Sequence, residues 1–85
     1  MPRVRRPALV VTFPTTAAAM SCEELCGEKS LPGRMIPVPG EISAGCGLAW
    51  TAAPGDREAL EAALAAGGVP VEGFHIVEML EFVKE

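Results

Sequence analysis

The sequence is poor in aromatic side chains and in positive charge. Its 85 residues include one Trp, three Phe and no Tyr, so a platform on which nucleic-acid bases could stack is poorly supported. Seven Lys and Arg residues stand against eleven Asp and Glu residues, which gives a formal net charge of −4. The basic residues form no stripe beyond Arg3, Arg5 and Arg6. Because affinity for nucleic acids depends on neutralising phosphates, we expect no nucleic-acid partner.

The sequence also lacks a long hydrophobic run and an even number of cysteines. No apolar stretch approaches the ~20 residues that span a bilayer, so we expect no membrane insertion. The basic start followed by Ala8–Phe13 faintly imitates a signal peptide, but this apolar segment is short and is bounded by Pro7 and Pro14. Three cysteines argue against a secreted disulfide framework, and a reduced, cytoplasmic location is expected.

The composition that remains favours one small folded domain. Hydrophobic residues make up 49% of the chain and charged residues 21%, which is not the composition of a disordered protein. A chain of this length buries little more than about 60% of its unfolded surface, so its core is modest. We expect a single domain over residues 1–85, with a core over about 8–77 and a C-terminal arm over 78–85.

The first half of the chain predicts a strand and then a helix. Ala8–Phe13 is rich in β-branched and aromatic residues, as strands are, and Pro14 ends it. Thr15 or Thr16 is a suitable N-cap for a helix that runs to about Lys29. One apolar stripe on this helix holds Ala19, Cys22, Leu25 and Cys26.

The second half predicts three strands and a helix. Arg34–Val38 is a second strand, and Pro37 indicates that it lies at a sheet edge or carries a bulge. A loop over residues 39–45 leads to a third strand, Cys46–Ala52. Asp56 is the expected N-cap of the second helix, which Gly67 or Gly68 ends in a left-handed cap. The predicted final segments are a strand at Val71–Val77 and a helical turn or arm at Met79–Lys84.

The predicted element order is βαββαβ. With right-handed crossovers this order gives a ferredoxin-like α+β fold, in which two helices cover one face of a four-stranded antiparallel sheet. The first and third strands are then central neighbours. The topology therefore predicts that Cys46, at the start of the third strand, lies near the N-terminus of the first helix.

Cys46 is the candidate catalytic thiol because a glycine lies on each side of it. Glycine leaves room for a close approach to the backbone. A helix N-terminus presents free N–H groups and a partial positive charge, which favour a thiolate, a persulfide, a perselenide or another small anion. Glu41, the nearest charged residue in the sequence, would oppose this effect. The groups expected to stabilise the anion or shape its loop are Thr15, Thr16, Ser43, Gly45 and Gly47.

Two segments of the sequence resemble the selenium/sulfur carrier protein-like family. They are Val11–Thr16 and Ile36–Ala49, and the resemblance extends over about residues 9–77. It implies that Cys46 is the thiol that carries sulfur or selenium. We expect no cofactor. Gly40 departs from the family pattern, which usually has Arg at that position. Ala17 also departs, since a His often follows the Ser/Thr pair there.

Other roles for the cysteines stay open at the level of sequence. Cys46 alternatively packs under its loop, since buried cysteine is common. Cys22 and Cys26 fit core packing, and the functional alternative makes one of them, Cys22 being the less remote, a resolving thiol for Cys46. A Cys₃His metal site with His75 matches no usual zinc spacing, so no metal is expected. His75 is expected on the sheet face opposite Phe74 and Ile76.

Two functional hypotheses follow. In the first, the protein is a small cytoplasmic thiol carrier that accepts sulfur or selenium on Cys46 from a donor such as a cysteine desulfurase-like enzyme and passes it to an acceptor protein. In the second, it is a non-catalytic ferredoxin-like module that binds a protein or ligand through the edge strand Arg34–Val38 or the C-terminal arm. A homodimer through either element is open, as is whether the carrier is itself an enzyme.

Overall fold

The computed structural model describes residues 3–40, 42 and 46–82. Its strands are β1 (Arg3–Thr12), β2 (Arg34–Pro37), β3 (Leu48–Ala52) and β4 (Gly73–Phe82), and its helices are α1 (Thr16–Glu28) and α2 (Arg57–Ala66). A short 3₁₀ turn, Pro54–Asp56, precedes α2. The four strands form one sheet in the order β2-β3-β1-β4, and all neighbours are antiparallel. The predicted βαββαβ order and ferredoxin-like α+β fold are confirmed.

Strands β1 and β4 are longer than the sequence predicts. The prediction begins the first strand at Ala8 and ends the last at Val77, with an arm beyond it. In the structure the two strands pair one to one from Arg3–Phe82 to Thr12–Gly73. Residues 78–82 therefore extend β4 and do not form a separate arm, because the start of β1 offers them a partner. The rest of the predicted arm, residues 83–85, lies outside the described residues. Pro7 is tolerated there because β1 pairs with β3 only over Leu9–Thr12, which leaves one side of Pro7 without a ladder.

Helix α1 begins with the predicted side-chain cap. Thr15 has an extended backbone conformation, and its Oγ1 accepts a hydrogen bond from the Ala18 backbone N–H at 3.1 Å. This bond satisfies one of the amide donors that the first turn of a helix leaves without a partner. Thr15, and not Thr16, is therefore the N-cap.

Helix α2 ends in a Schellman motif. Gly68 has a φ of +69°. The Gly68 N–H donates to the Ala65 carbonyl at 3.2 Å, and the Val69 N–H donates to the Leu64 carbonyl at 3.0 Å. The predicted left-handed cap is thus confirmed at Gly68. Asp56 is at the N-cap position of α2 as predicted, but its side chain makes no capping bond.

Both helices pack against the same face of the sheet. The core between them contains Leu9, Val11 and Trp50 from the sheet and Leu60 and Leu64 from α2. The members from α1 and its N-terminal approach are Phe13, Ala18, Ala19, Cys22 and Cys26. The layer of helices therefore covers one face of the sheet, as the sequence predicts.

The edge strand β2 is short and ends at Pro37, in agreement with its predicted place at the sheet margin. Gly33, just before β2, lies under the Trp50 indole and has a φ of +120°. A Cβ at this position would collide with the indole nitrogen and with the Thr51 carbonyl oxygen. The indole N–H donates to the Pro32 carbonyl at 3.1 Å. The turn at Pro32-Gly33 therefore anchors Trp50 as well as reversing the chain.

In the part of the chain that the structure describes, neither helix has the length and apolar character needed to cross a membrane.

Candidate functional site

Cys46 lies at the base of the loop that joins β2 to β3. The Val38 N–H donates to the Gly47 carbonyl at 3.0 Å, which closes this loop. Gly47 has a φ of +78°, a left-handed conformation that side chains disfavour. The sequence predicts that β3 begins at Cys46, but the strand begins at Leu48, because the bend at Gly47 interrupts the extended backbone. The thiol therefore belongs to the loop.

The Cys46 side chain is half-buried and packs against the edge of the core cluster. Its Sγ donates a hydrogen bond to the Leu48 carbonyl oxygen at 3.3 Å. This contact holds the Cys46 side chain against its own backbone two residues later. Half-burial leaves part of the side chain open to solvent.

Three segments of the chain meet at the Cys46 end of the sheet. Thr12 at the end of β1 pairs with Ala49 in β3 and with Gly73 in β4. The Glu72 N–H donates to the Thr12 carbonyl at 2.7 Å, so the segment that leads from α2 to β4 also closes at this end. This confirms that the end of β1 lies beside the start of β3, and it shows that the segment before β4 closes at the same end. Since α1 follows β1 after Phe13, its N-terminus lies at this end as well.

The predicted anion-stabilising residues fall into two groups. Thr15, Thr16 and Gly47 are described by the structure, and the Thr15 hydroxyl oxygen is engaged in capping α1. Ser43 and Gly45 lie outside the described residues, as does Glu41. Contact between Cys46 and the α1 N-terminus stays a prediction.

The two other cysteines lie in the core, one turn of α1 apart. Cys22 and Cys26 are 0% and 1% exposed, and their Sγ atoms are 3.9 Å apart. Burial, reinforced by the neighbouring Cys26, raises the pKa of the Cys22 thiol to about 12. Burial also raises the pKa of Cys26. Core packing of this pair is confirmed, and a resolving role for either thiol would require the core to open.

His75 lies on the face of the sheet that the helices leave uncovered. Its Nε2 is 3.5 Å from the Thr12 Oγ1, which also lies 3.3 Å from the Gly73 carbonyl oxygen and donates to it. Phe74 packs against the core on the other face, so the predicted orientation of His75 relative to Phe74 is confirmed. Nothing in the local sequence indicates the Thr12–His75 pair, because 63 positions separate its members.

His75 and the cysteines do not form a metal site in the structure. Within the described residues, no three His, Cys, Asp or Glu side chains lie close enough together to hold a metal ion.

A cleft of about 660 Å³ lies at the end of the sheet where β2 begins and β3 ends. Its lining includes Arg6, Pro7, Arg34 and Ala52, and its walls are largely apolar. Cys46 precedes the opposite end of β3, so this cleft belongs to a different region of the molecule.

The fold and the site define a small ferredoxin-like protein with one partly accessible thiol in a glycine-bounded loop. Over residues 8–76 the chain matches the family described as putative Se/S carrier protein-like. The chain belongs to this family, which confirms the resemblance noted in the sequence. No curated protein matches the chain, and no solved structure does.

Proposed function

We propose that this protein is a cytoplasmic carrier that holds one sulfur or selenium atom on Cys46 as a persulfide or perselenide. Membership of the Se/S carrier protein-like family supports the class of cargo. The observation that carries the proposal is the contrast among the three thiols. Cys46 is half-buried, whereas Cys22 and Cys26 are enclosed in the core. A donor protein can therefore reach Cys46 without unfolding α1.

The transfer needs no external oxidant or reductant. The Cys46 thiolate attacks the outer sulfur of a persulfide on the donor, which a cysteine desulfurase-like enzyme would supply. The S–S bond of the donor breaks, the donor leaves as a thiolate, and a new S–S bond forms on Cys46. The Cys46 thiol loses its proton to water before the attack, and the departing thiolate can take up a proton afterwards. Attack by an acceptor nucleophile on the outer atom reverses these roles and returns the Cys46 thiolate.

Loading of Cys46 must break its hydrogen bond to the Leu48 carbonyl oxygen. A thiolate or persulfide anion no longer donates to the Leu48 carbonyl oxygen, and the two negative atoms repel each other. The loaded sulfur therefore turns away from Leu48. We propose that it turns toward N–H groups at the α1 N-terminus and in the loop, where Thr15, Thr16, Ser43, Gly45 and Gly47 contribute backbone or hydroxyl donors.

Two positions limit how strongly this chain holds its cargo. Gly40 and Ala17 stand where the family pattern usually has Arg and His. Neither supplies a positive charge, so backbone donors and the helix dipole carry the stabilisation of the anion. A carrier built in this way releases its cargo readily, which suits transfer to an acceptor.

Persulfide loading of cysteine variants tests the proposal. The purified protein is mixed with glutathione persulfide or with a cysteine desulfurase and cysteine, and its intact mass is measured. We expect the wild-type chain, Cys22→Ser and Cys26→Ser to gain one sulfur atom, and Cys46→Ser to gain none. Peptide mapping places the added sulfur. Equal loading of all four proteins, or loading on Cys22, would overturn the proposal.

The binding-module hypothesis makes the opposite prediction for Cys46. A module that recognises a partner through its sheet keeps that partner when the thiol is removed. Two results together would favour the binding module over the carrier. The Cys46→Ala variant would be loaded as well as the wild-type chain, and it would still copurify with the same partner.

A further inference from the structure

The outer edge of β4 is the part of the fold that is best suited to pair with another chain. Among the described strands, β4 has β1 on one side and no strand on the other. We propose that two copies of this protein pair antiparallel through their β4 edges and form one continuous eight-stranded sheet. This inference does not depend on the proposed function of Cys46.

The two edges of the sheet differ in how they resist such pairing. The β2 edge is four residues long and ends in Pro37, which removes a backbone donor. The β4 edge is ten residues long and contains no Pro or Lys. Its register with β1 is unbroken over its full length, so no bulge twists it away. Long, regular edges without proline or a bulge are templates for a further strand.

The side chain of Ile76 marks the apolar part of this edge. It is 53% exposed, whereas its partner across the strand pair, Leu9, is fully buried. Ile76 therefore faces the helix side of the sheet at a margin that α1 and α2 do not cover. A second strand at this edge would shield it.

Symmetry restricts the registers that two β4 strands can adopt. A two-fold axis perpendicular to the sheet keeps each side chain on its own face, so residues that oppose one another must both be even-numbered or both be odd-numbered. One residue then lies on the axis opposite its own copy. With Val77 on the axis, residues 73–81 pair with their counterparts and Ile76 opposes Glu78.

Charge selects Val77 over its neighbours as the axial residue. An axis at Glu78 gives an equally long overlap but sets two carboxylates directly opposite each other, which is destabilising. An axis at Ile76 shortens the pairing, because β4 begins at Gly73. Only the Val77 register combines the full overlap with no like charges in opposition. This self-complementarity is why a second copy fits the edge.

The proposed dimer keeps the two Cys46 thiols apart. Cys46 lies at the end of the sheet where β4 begins, and antiparallel pairing places the two starts of β4 at opposite ends. Each Cys46 is then remote from the dimer contact. Cys46→Ser is therefore expected to dimerise like the wild-type chain, so failure of this inference and failure of the carrier proposal are distinguishable.

Sedimentation equilibrium of the full chain tests the dimer and its register together. Val77→Lys places two ammonium groups opposite each other on the axis, and we expect its dimer dissociation constant to rise about tenfold or more. Ile76→Lys is the matched control, because the ammonium group that it introduces would oppose Glu78 of the second copy and the dimer persists. Ile36→Lys, on the β2 edge, is also expected to leave the dimer unchanged.

If Val77→Lys does not fold, hydrogen exchange of the wild-type chain tests the dimer instead. Backbone amides within residues 74–81 are expected to gain protection as the protein concentration rises, while those of β2 do not. A chain that is monomeric at all concentrations overturns the proposal. So does a dimer that Val77→Lys leaves intact, or one that Ile76→Lys weakens as much as Val77→Lys.

Discussion

The three cysteines divide between two regions that touch the same core. Cys22 and Cys26 lie inside α1 and have no access to solvent, whereas Cys46 lies in a loop at the edge of the core. Burial holds the first pair as neutral thiols, with the Cys22 pKa raised to about 12. The availability of a thiol in this fold is therefore decided by its position relative to the helix layer.

Local backbone geometry produces this division. An α-helical stripe buries residues four positions apart on one face, which places Cys22 over Cys26 and brings their Sγ atoms to 3.9 Å. Cys46 instead precedes the left-handed Gly47, and the bend there keeps it out of β3. A regular element encloses its cysteines, and an irregular loop exposes one.

Replacing each thiol by a hydroxyl should give the largest difference in the free energy of unfolding between the two regions. Cys22→Ser buries a hydroxyl in an apolar core, and we expect a loss of about 1–3 kcal/mol in the free energy of unfolding. Cys46→Ser should cost less than about 1 kcal/mol, because the new hydroxyl can donate to the Leu48 carbonyl. Urea denaturation of both variants measures the difference. Equal losses would show that Cys46 is as much a core residue as Cys22.

Alkaline pH should sharpen the same contrast. In the unfolded chain Cys22 ionises near pH ~8.5, but in the folded protein its pKa is about 12. The folded state therefore retains a proton that the unfolded state loses. The contribution of Cys22 to stability should be constant below about pH 8.5 and fall above it, by about 1.4 kcal/mol per pH unit up to the pKa of the folded thiol.

The alkaline profile has a simple control. The chain has no Tyr, so no tyrosine hydroxyl titrates in the same pH range as the thiols. The slope should become shallower in Cys22→Ala. The test is to measure denaturation midpoints from about pH 8 to about pH 11, the range in which the unfolded thiol titrates. A flat wild-type profile would contradict the burial of Cys22.

A smaller difference is expected between alanine substitutions at two left-handed glycines, Gly47 beside Cys46 and Gly68 at the end of α2. Gly47 and Gly68 have φ values of +78° and +69°, and both face open space. Alanine at either position should cost about 1 kcal/mol of backbone strain. Only Gly47→Ala should also slow persulfide loading, because it redirects the Cys46 loop. The measurement is the persulfide loading rate of each variant, with urea added to the more stable one until both have the same free energy of unfolding. Equal loading rates would show that the loop geometry does not affect loading.

The sequence predicts the order of elements because its signals are local. The β-branched run before Pro14, the Thr15 cap and the glycines after α2 each act within a few residues of themselves. The extension of β1 and β4 is missed because residues 3–7 alternate poorly. Those residues become a strand only by pairing with a distant segment near the other end of the chain.

The candidate site is predicted in part for the same reason. The bounding glycines single out Cys46, and the topology places it at the end of the sheet that β1 and β3 share. Its hydrogen bond to Leu48 and the exclusion of Cys46 from β3 depend on the left-handed Gly47, which a sequence motif does not specify. The Thr12–His75 pair and the fit of Gly33 beneath Trp50 arise from long-range packing.

Alkylation of each cysteine in the native protein, located by peptide mass spectrometry, tests directly whether Cys46 is the one accessible thiol. We expect Cys46 alone to be modified, and Cys22 and Cys26 to react only when the chain unfolds. A Cys46 that is as protected as the core pair would contradict it. So would modification of Cys22 at a comparable rate in the folded protein.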